Sequence, residues 1–440
     1  VHALTGVAIS QIFQSMTVKN FIVKPFAHPT GIFIIVLLLG MFELGLMTFL
    51  KTSMNDAVSP FLYFGVQLLI GVLALLQHRS KYETPPTHQA KLTLSTGLFF
   101  FTGSVVAGAV LMSEVIENYP AVASLSDVIP QAQILSARLL RFDHPYQAID
   151  FGTYIMNPPT YLPAHWMPYM ISSFFQFDPR WVCFLIWVIA WLLFFRGLLS
   201  MGVGLWQGII LLVLPAIVIS AVKDHDVLTW AISLEMMVAG YYLALGAGLA
   251  SGHRSQQSGS AVLCLMSRFA LLFWMPIYLW VTAQLEGKKA FWRTALVLAG
   301  GCAILYVPFL GNDPFMFFKT QQYYNNGSVV EWIQGDKPPH LYNHLGFARF
   351  YFEEYRPDLT GGVLAIKKTM LLLSGFVMLL LVGIFQKIKR WVSPELFLLG
   401  SFKIMLAVFY SFIQIPYHYL YVVPMITTLP VLSKLATKTK

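Results

Sequence analysis

Apolar runs approaching or exceeding 18 residues recur along this chain, and runs of that length cross a bilayer as helices. No other feature restricts the fold so severely. The composition agrees: 57% of residues are hydrophobic and 15% aromatic, while 11% are charged. A soluble domain carries about 25% charged residues. With a mean hydropathy of +0.66, the chain reads as an all-α polytopic membrane protein. The formal net charge of +9 does not point to nucleic acid, because Lys and Arg collect in short segments between the apolar runs. Cys183, Cys264 and Cys302 all fall in apolar segments, and an odd number there argues against a disulfide framework or a zinc site. No run near the start has the form of a cleavable signal peptide.

The runs predict spans over roughly 30–50, 61–77, 93–113, 181–196, 205–222, 228–250, 291–309, 368–386, 396–414 and 417–434. A further run, 258–284, is interrupted by Ser267-Arg268 and Pro276 and reads as two short helices meeting at Arg268. The sum is about twelve spans with both ends cytoplasmic. The basic clusters at 79–91, 196, 254, 288–293, 387–390 and 434–440 then fall on one side. Residues 160–177 are apolar but broken by Pro163 and Pro168. Reading them as a span would put most basic clusters outside, so a short juxtamembrane helix on the outer side is expected. Residues 1–29 and 79–91 are expected to be cytoplasmic, and no tandem repeat or pair of inverted halves is visible.

The stretch 113–179 is too polar to cross a bilayer, yet it is not an ordinary loop. Asp127 opens an amphipathic segment in which Val128, Ile129, Ile134, Leu135, Leu139 and Leu140 are apolar and Gln131, Gln133, Arg138 and Arg141 polar. Such a segment suits a helix on the membrane surface. The proline-rich run 157–163 that follows denies the chain a regular helix. With this topology the polar residues converge on the outer face. Asp127, Asp143, His144, Asp150, Tyr154 and Asn157 come from the first outer loop, and Lys223, Asp224, His225 and Asp226 from a short turn. Arg268 lies between the two short helices, Glu331, Asp336, Lys337 and His344 come from the second long loop, about 310–366, and Tyr417 and His418 from the last outer turn. An acid at the membrane surface can take a proton from an acceptor hydroxyl. Cations opposite it can hold a departing phosphate, for which Arg is well shaped.

These residues resemble, in order and topology, the GT-C superfamily of membrane glycosyltransferases. The chain is most similar to the polyprenyl-phosphate-mannose-dependent type. The elements that carry the resemblance are Asp127 near the start of the first outer loop, His144-Pro145-Tyr146, Asn157-Pro158-Pro159, the basic break Ser267-Arg268-Phe269, and the late run Tyr417-His418-Tyr419-Leu420-Tyr421. Lys is usual where Arg268 stands, and Lys223 to Asp226 replaces a Gly-Gln-x-Asn element. The resemblance covers roughly 93–434 and implies a module over 93–440 with outer loops of about 114–178 and 310–366, preceded by two added helices within 1–92. It implies an inverting hexosyl transfer, mannose first, from a polyprenyl-phosphate-sugar donor to a glycan or glycolipid acceptor at the outer face of a bacterial inner membrane. Asp127 would be the general base, and Arg268, His418 and Tyr417 would meet the donor phosphate. Lys223, Asp224, His225, Asp226, Asp143, His144, Tyr154 and Asn157 would bind substrate or supply a second acid. Partners are then the donor, the acceptor and membrane lipids, without nucleic acid, metal or other cofactor.

Plainer readings stand beside these. Ser126-Asp127 can cap the surface helix. Arg268 can be an interfacial side chain reaching for water, His418 an interface histidine, and Lys223 to Asp226 a solvated turn. Asp143, His144 and Asp150 are a weak metal pattern. Glu235 lies within a span, with Tyr241 or Lys403 as possible partners. Asn326-Gly327-Ser328 fits a glycosylation acceptor. The rival classes are a lipid or sugar transporter, which would place charges near the bilayer midplane, and an O-antigen polymerase or ligase with arginine-rich outer loops.

Overall fold

The computed structural model describes residues 29–52, 57–77, 90–152, 154–310, 313, 315–342 and 345–437. Most of 1–29 and 79–91, and His344, lie outside them. The longer helices are α1 (Pro29–Met47), α2 (Ser59–Leu75), α3 (Leu94–Asn118), α4 (Val128–Leu140), α5 (Arg180–Met201), α6 (Leu205–Asp226) and α7 (Glu235–Ser251). They continue with α8 (Arg254–Leu265), α9 (Met275–Glu286), α10 (Lys288–Leu310), α11 (Met316–Trp332), α12 (Leu359–Ile388) and α13 (Pro394–Ser411). Seven of them, α1, α3, α5, α6, α10, α12 and α13, are long and apolar enough to cross a membrane, and α2 is a shorter apolar helix. Among the described residues the sheet is one pair of two-residue strands, β1 (Ile149–Asp150) and β2 (Ile155–Met156).

The all-α membrane reading holds, but several expected spans are not single helices. Residues 258–284 divide as the sequence suggests, into α8, a 3-10 turn Phe269–Phe273 and α9. The expected span 228–250 also divides, into a short Leu228–Ala231 helix and α7. Ser233 lies between them: its hydroxyl donates to the Thr229 carbonyl and accepts from the Glu235 amide, which starts α7 at the acid. Residues 417–434 form a 3-10 turn, His418–Tyr421, and two short helices, Val422–Ile426 and Thr428–Leu435. Pro424 and Pro430 lack the amide hydrogen that a continuous helix needs. Residues 160–177 form only short helical pieces, as their prolines require. The helix expected to end near 222 runs on to Asp226, so Lys223 to Asp226 form its last turn, where Lys223 and His225 suit the negative end of the helix dipole.

The core helix is α7, buried from Glu235 through Ala250. A helix apolar all round belongs inside a bundle, and its Gly and Ala residues let neighbours approach closely. It packs against α5, α8 and the last two short helices. The first two helices are built into the same bundle. Gly71 of α2 and Gly400 of α13 touch backbone to backbone: a Cβ on Gly400 would lie 2.6 Å from the Gly71 carbonyl oxygen. The Tyr63 hydroxyl donates to the Tyr421 carbonyl at 3.0 Å.

The two ends of the bundle differ. At one end the Trp332 indole donates to the Gln414 carbonyl, the Gln414 amide to Asn325 and the His144 ring to the Phe309 carbonyl. Lys223 there pairs with Glu114. At the other end Arg254 pairs with Glu286, Lys389 donates to Gln284, and the Leu205 amide donates to the Ala90 carbonyl. Among the described residues, Glu114, His144, Lys223, Asn325 and Gln414 therefore share one end, and Arg254 and Lys389 share the other.

Candidate active site

Asp127 occupies the N-cap position of α4, yet its carboxylate makes no capping hydrogen bond. Ser126 does that work, accepting from the Val128 amide at 3.3 Å. The Asp127 carboxylate turns instead to Tyr154, whose hydroxyl donates to it at 2.5 Å. Tyr154 sits in the turn between β1 and β2, so the hairpin sets the acid's direction. The plain capping reading is thereby replaced. α4 itself is less simply amphipathic than its sequence: Gln131 is buried, and Arg138 donates to the carbonyls of Pro145, Gln147 and Ala148, bracing the loop.

Around Asp127 lies a cluster of tyrosines drawn from three segments. Tyr161, Tyr323, Tyr417 and Tyr419 all feel its charge. Burial and then the Asp127 carboxylate raise the Tyr154 and Tyr161 hydroxyls well above their ordinary range. Burial pushes Tyr324 up to about 12, against the pull of Arg268. These phenols remain neutral donors and acceptors. Tyr161 and Tyr419 feel the charge of Arg268 as well as that of Asp127, so the acid and the cation share tyrosine neighbours.

Arg268 pairs with Glu235, and this answers the question of that acid's partner. Tyr241 donates instead to the Ala164 carbonyl, and Lys403 pairs with Glu43. Glu235 is 1% exposed, whereas the Arg268 side chain keeps 25% of its surface open. The pair is incomplete: Glu235 Oε2 and Arg268 Nε have no hydrogen-bond partner. Beside it, His165 is buried and stacked on Tyr161 with ring centroids 4.4 Å apart. Its Nδ1 faces the Ser267 carbonyl at 3.3 Å and so donates, leaving Nε2 as a buried acceptor without a partner. Burial, then the Arg268 charge, holds this ring neutral by lowering its pKa well below the usual histidine value.

The Glu43–Lys403 pair is the opposite case. Lys403 donates to both Glu43 oxygens at 2.7 and 2.9 Å and to the Pro424 carbonyl at 2.6 Å. The Thr428 hydroxyl donates to Glu43 at 2.9 Å. All three ammonium hydrogens are used, so this pair is closed, while the Arg268 side chain keeps a quarter of its surface open.

The remaining candidates separate from this centre. His418 Nδ1 lies 2.5 Å from Asp226 Oδ2, and Nε2 lies 2.7 Å from the Met47 carbonyl oxygen. Both ring nitrogens are thus taken up by the protein, and His418 ties three chain segments together. Its neighbour Tyr417 stacks on Tyr419 at 5.2 Å and meets the His340 ring at 4.7 Å. Glu331 Oε2 lies 3.7 Å from His340 Nε2, while Asp336 and Lys337 are exposed. Asp224 is reached by the Ser220 hydroxyl, and His225 packs beside Phe49. Lys223, Asp224, His225 and Asp226 line an open cleft of about 720 Å³ that contains neither Asp127 nor Arg268. Asp143 pairs with Arg141, and Asp150 accepts from the Gly152 amide within its hairpin. Asn157 is exposed. Among the described residues, no group of three His, Cys, Asp or Glu side chains is placed to hold a metal ion.

Sequence reasoning named Tyr154 and Tyr417 but missed Glu43, His165 and, as site residues, Tyr161, Tyr323, Tyr324 and Tyr419. Glu43 carried a usable signal, a lone acid in an apolar run that calls for a cation elsewhere in the membrane. His165 carried none. No protein-family model and no curated protein matches the chain.

Proposed function

We propose that this membrane protein is a GT-C-type glycosyltransferase that moves a hexose, mannose first, from a polyprenyl-phosphate donor to a glycan or glycolipid acceptor at the outer face. The observation that supports this reading most is a half-buried acid and an incompletely paired arginine sharing one tyrosine cluster at the loop-bearing end. Asp127, oriented by Tyr154, takes the proton as an acceptor hydroxyl attacks the anomeric carbon. The new C–O bond forms as the bond to the phosphate oxygen breaks. That oxygen keeps the electron pair, and Arg268 stabilises its growing charge. One arginine suits the single charge of a phosphodiester. Tyr161, Tyr417 and Tyr419 offer flat faces and neutral hydroxyls for a sugar, and His418 braces the segment that carries two of them. About twelve spans with cytoplasmic ends keep the basic segments inside.

The test is Asp127→Asn. Asn accepts the Tyr154 hydrogen bond but cannot take a proton. With a radiolabelled polyprenyl-phosphate-hexose, transfer should fall about 10²- to 10⁴-fold while donor binding and detergent stability persist. Near-normal transfer would remove Asp127 as the base. A transporter reading would turn to the charges Glu43 and Lys403 inside the bundle, but their mutual bonds leave no ammonium hydrogen for a substrate.

A further inference from the structure

Glu331 stands where local structure alone would not put an acid. It is the last residue but one of α11, and the C-terminal end of a helix favours cations. Its side chain keeps 25% of its surface open, yet its Oε2 is buried and has no hydrogen-bond partner. Among the described residues, the group paired with it is His340, whose Nε2 lies 3.7 Å from that oxygen, too far for a hydrogen bond. The Lys367 ammonium is on Asn325, about 9 Å back along α11 at 1.5 Å per residue. An acid held against the helix dipole with an oxygen left unbonded lowers stability, and such local conflicts concentrate at functional positions.

The surroundings of this acid are fixed by bonds to another part of the chain. The Trp332 indole donates to the Gln414 carbonyl at 2.9 Å, and the Gln414 amide donates to Asn325 at 3.0 Å and to the Val363 carbonyl at 3.3 Å. These bonds hold the end of α11 against the turn that carries Tyr417. The His340 ring lies 4.7 Å from the Tyr417 ring, so Glu331, His340 and Tyr417 form one group. The Tyr417 hydroxyl feels the charges of both Glu331 and Asp127, whereas Tyr324 feels Glu331 together with Arg268. Glu331 therefore stands apart from the Asp127–Tyr154 contact and the Arg268–Glu235 pair but shares a tyrosine neighbour with the acid of one and the cation of the other.

A free carboxylate oxygen accepts hydrogen bonds and gives none. A phosphodiester has no hydrogen to offer it and is repelled by its charge, so a donor phosphate belongs at Arg268 and not here. A hydroxyl is the complementary group. Two acids about Tyr417 also make that side of the cluster unfavourable to a further anion. We infer that Glu331 is a specificity-determining residue: its free oxygen accepts from a hydroxyl of the acceptor beside Tyr417, and its charge refuses acceptors that carry a phosphate or carboxylate next to the reacting hydroxyl. The inference rests on the transferase reading and deepens it by stating which acceptors the site turns away.

The experiment measures binding to the full chain in phosphatidylcholine nanodiscs, with empty nanodiscs subtracted. The probes are a fluorescent alkyl hexoside, the matching alkyl hexuronide, which has a carboxylate in place of the hydroxymethyl group, and the matching alkyl aminohexoside. The wild type should bind the hexoside about tenfold more tightly than the hexuronide, a difference of about 1.4 kcal/mol. Glu331→Gln removes the charge and should bring the two within about threefold, and Glu331→Asp, which keeps it, should hold the preference. The Gln variant should unfold in detergent no earlier than the wild type, because an acid at a helix C-terminus has been removed. Equal binding of hexoside and hexuronide by the wild type, an unchanged ratio in Glu331→Gln, or the same loss of preference in both variants would overturn the role. Tightest binding of the aminohexoside would overturn it too, by making this a cation site. Transfer from a polyprenyl-phosphate-hexose with an unchanged ratio in Glu331→Gln would remove this role and leave the transferase reading standing. The expected ratios without any transfer would do the reverse.

Discussion

Arg268 and Lys403 are both cations in apolar surroundings, yet their partners leave them in different states. Lys403 uses every hydrogen on Glu43 and Pro424, whereas Arg268 keeps Nε free of a partner and a quarter of its side chain open. Under the proposed function, Glu235 would act through Arg268, holding the guanidinium so that its open part could meet the donor phosphate. Arg268→Ala should lower transfer by about 10²-fold, the usual loss when a donor to a developing oxyanion is removed. Arg268→Lys should keep part of the rate, because charge survives and the planar fork does not. Glu235→Gln should raise the donor KM, and the double variant Glu235→Gln/Arg268→Ala should be no worse than Arg268→Ala alone. Independent, multiplying losses in the double variant would show that Glu235 does not work through Arg268.

At the scale of elements, α1 is fastened to α13 and to the last short helices by one buried cluster, Glu43, Lys403, Thr428 and the Pro424 carbonyl. A buried pair resists single cuts more than joint replacement. Lys403→Met leaves the Glu43 carboxylate without its cation and should destabilise the bundle by about 3–5 kcal/mol. Glu43→Leu/Lys403→Met removes both charges and should regain most of that loss. Unfolding midpoints in detergent read the difference. A double variant as unstable as the single one would mean that α1 is held by Thr428 and packing rather than by charge balance.

For the whole molecule, the proposed orientation rests on polar loops at one end and basic positions such as Arg254 and Lys389 at the other. Under the positive-inside rule, the basic end would face the cytoplasm. In a background with Cys183, Cys264 and Cys302 replaced, Lys337→Cys should react with an impermeant thiol reagent on intact cells. Lys387→Cys should react only after permeabilisation. Labelling of the Lys387 site from outside would invert the molecule and move Asp127 to the cytoplasmic face.

Much of this frame was legible in the primary structure, and the rest was not, for a definite reason. The long apolar runs set the helical class, because backbone groups in hydrocarbon must bond within their own segment. The basic clusters sorted the two ends, Pro163 and Pro168 kept 160–177 from forming a span, and Ser267-Arg268 marked the break between α8 and α9. Each of those signals is local: it depends on a few neighbouring residues and on partition between lipid and water. The breaks before α7 and within 417–434 were harder to see, since they arise from a serine cap and two prolines inside otherwise apolar runs. The pairings were invisible. Asp127 with Tyr154, Arg268 with Glu235, Lys403 with Glu43 and His418 with Asp226 join side chains far apart in the chain. A lone charge in an apolar run announces that it needs a counter-charge, but not which one, because that choice is made by the packing of whole helices against each other.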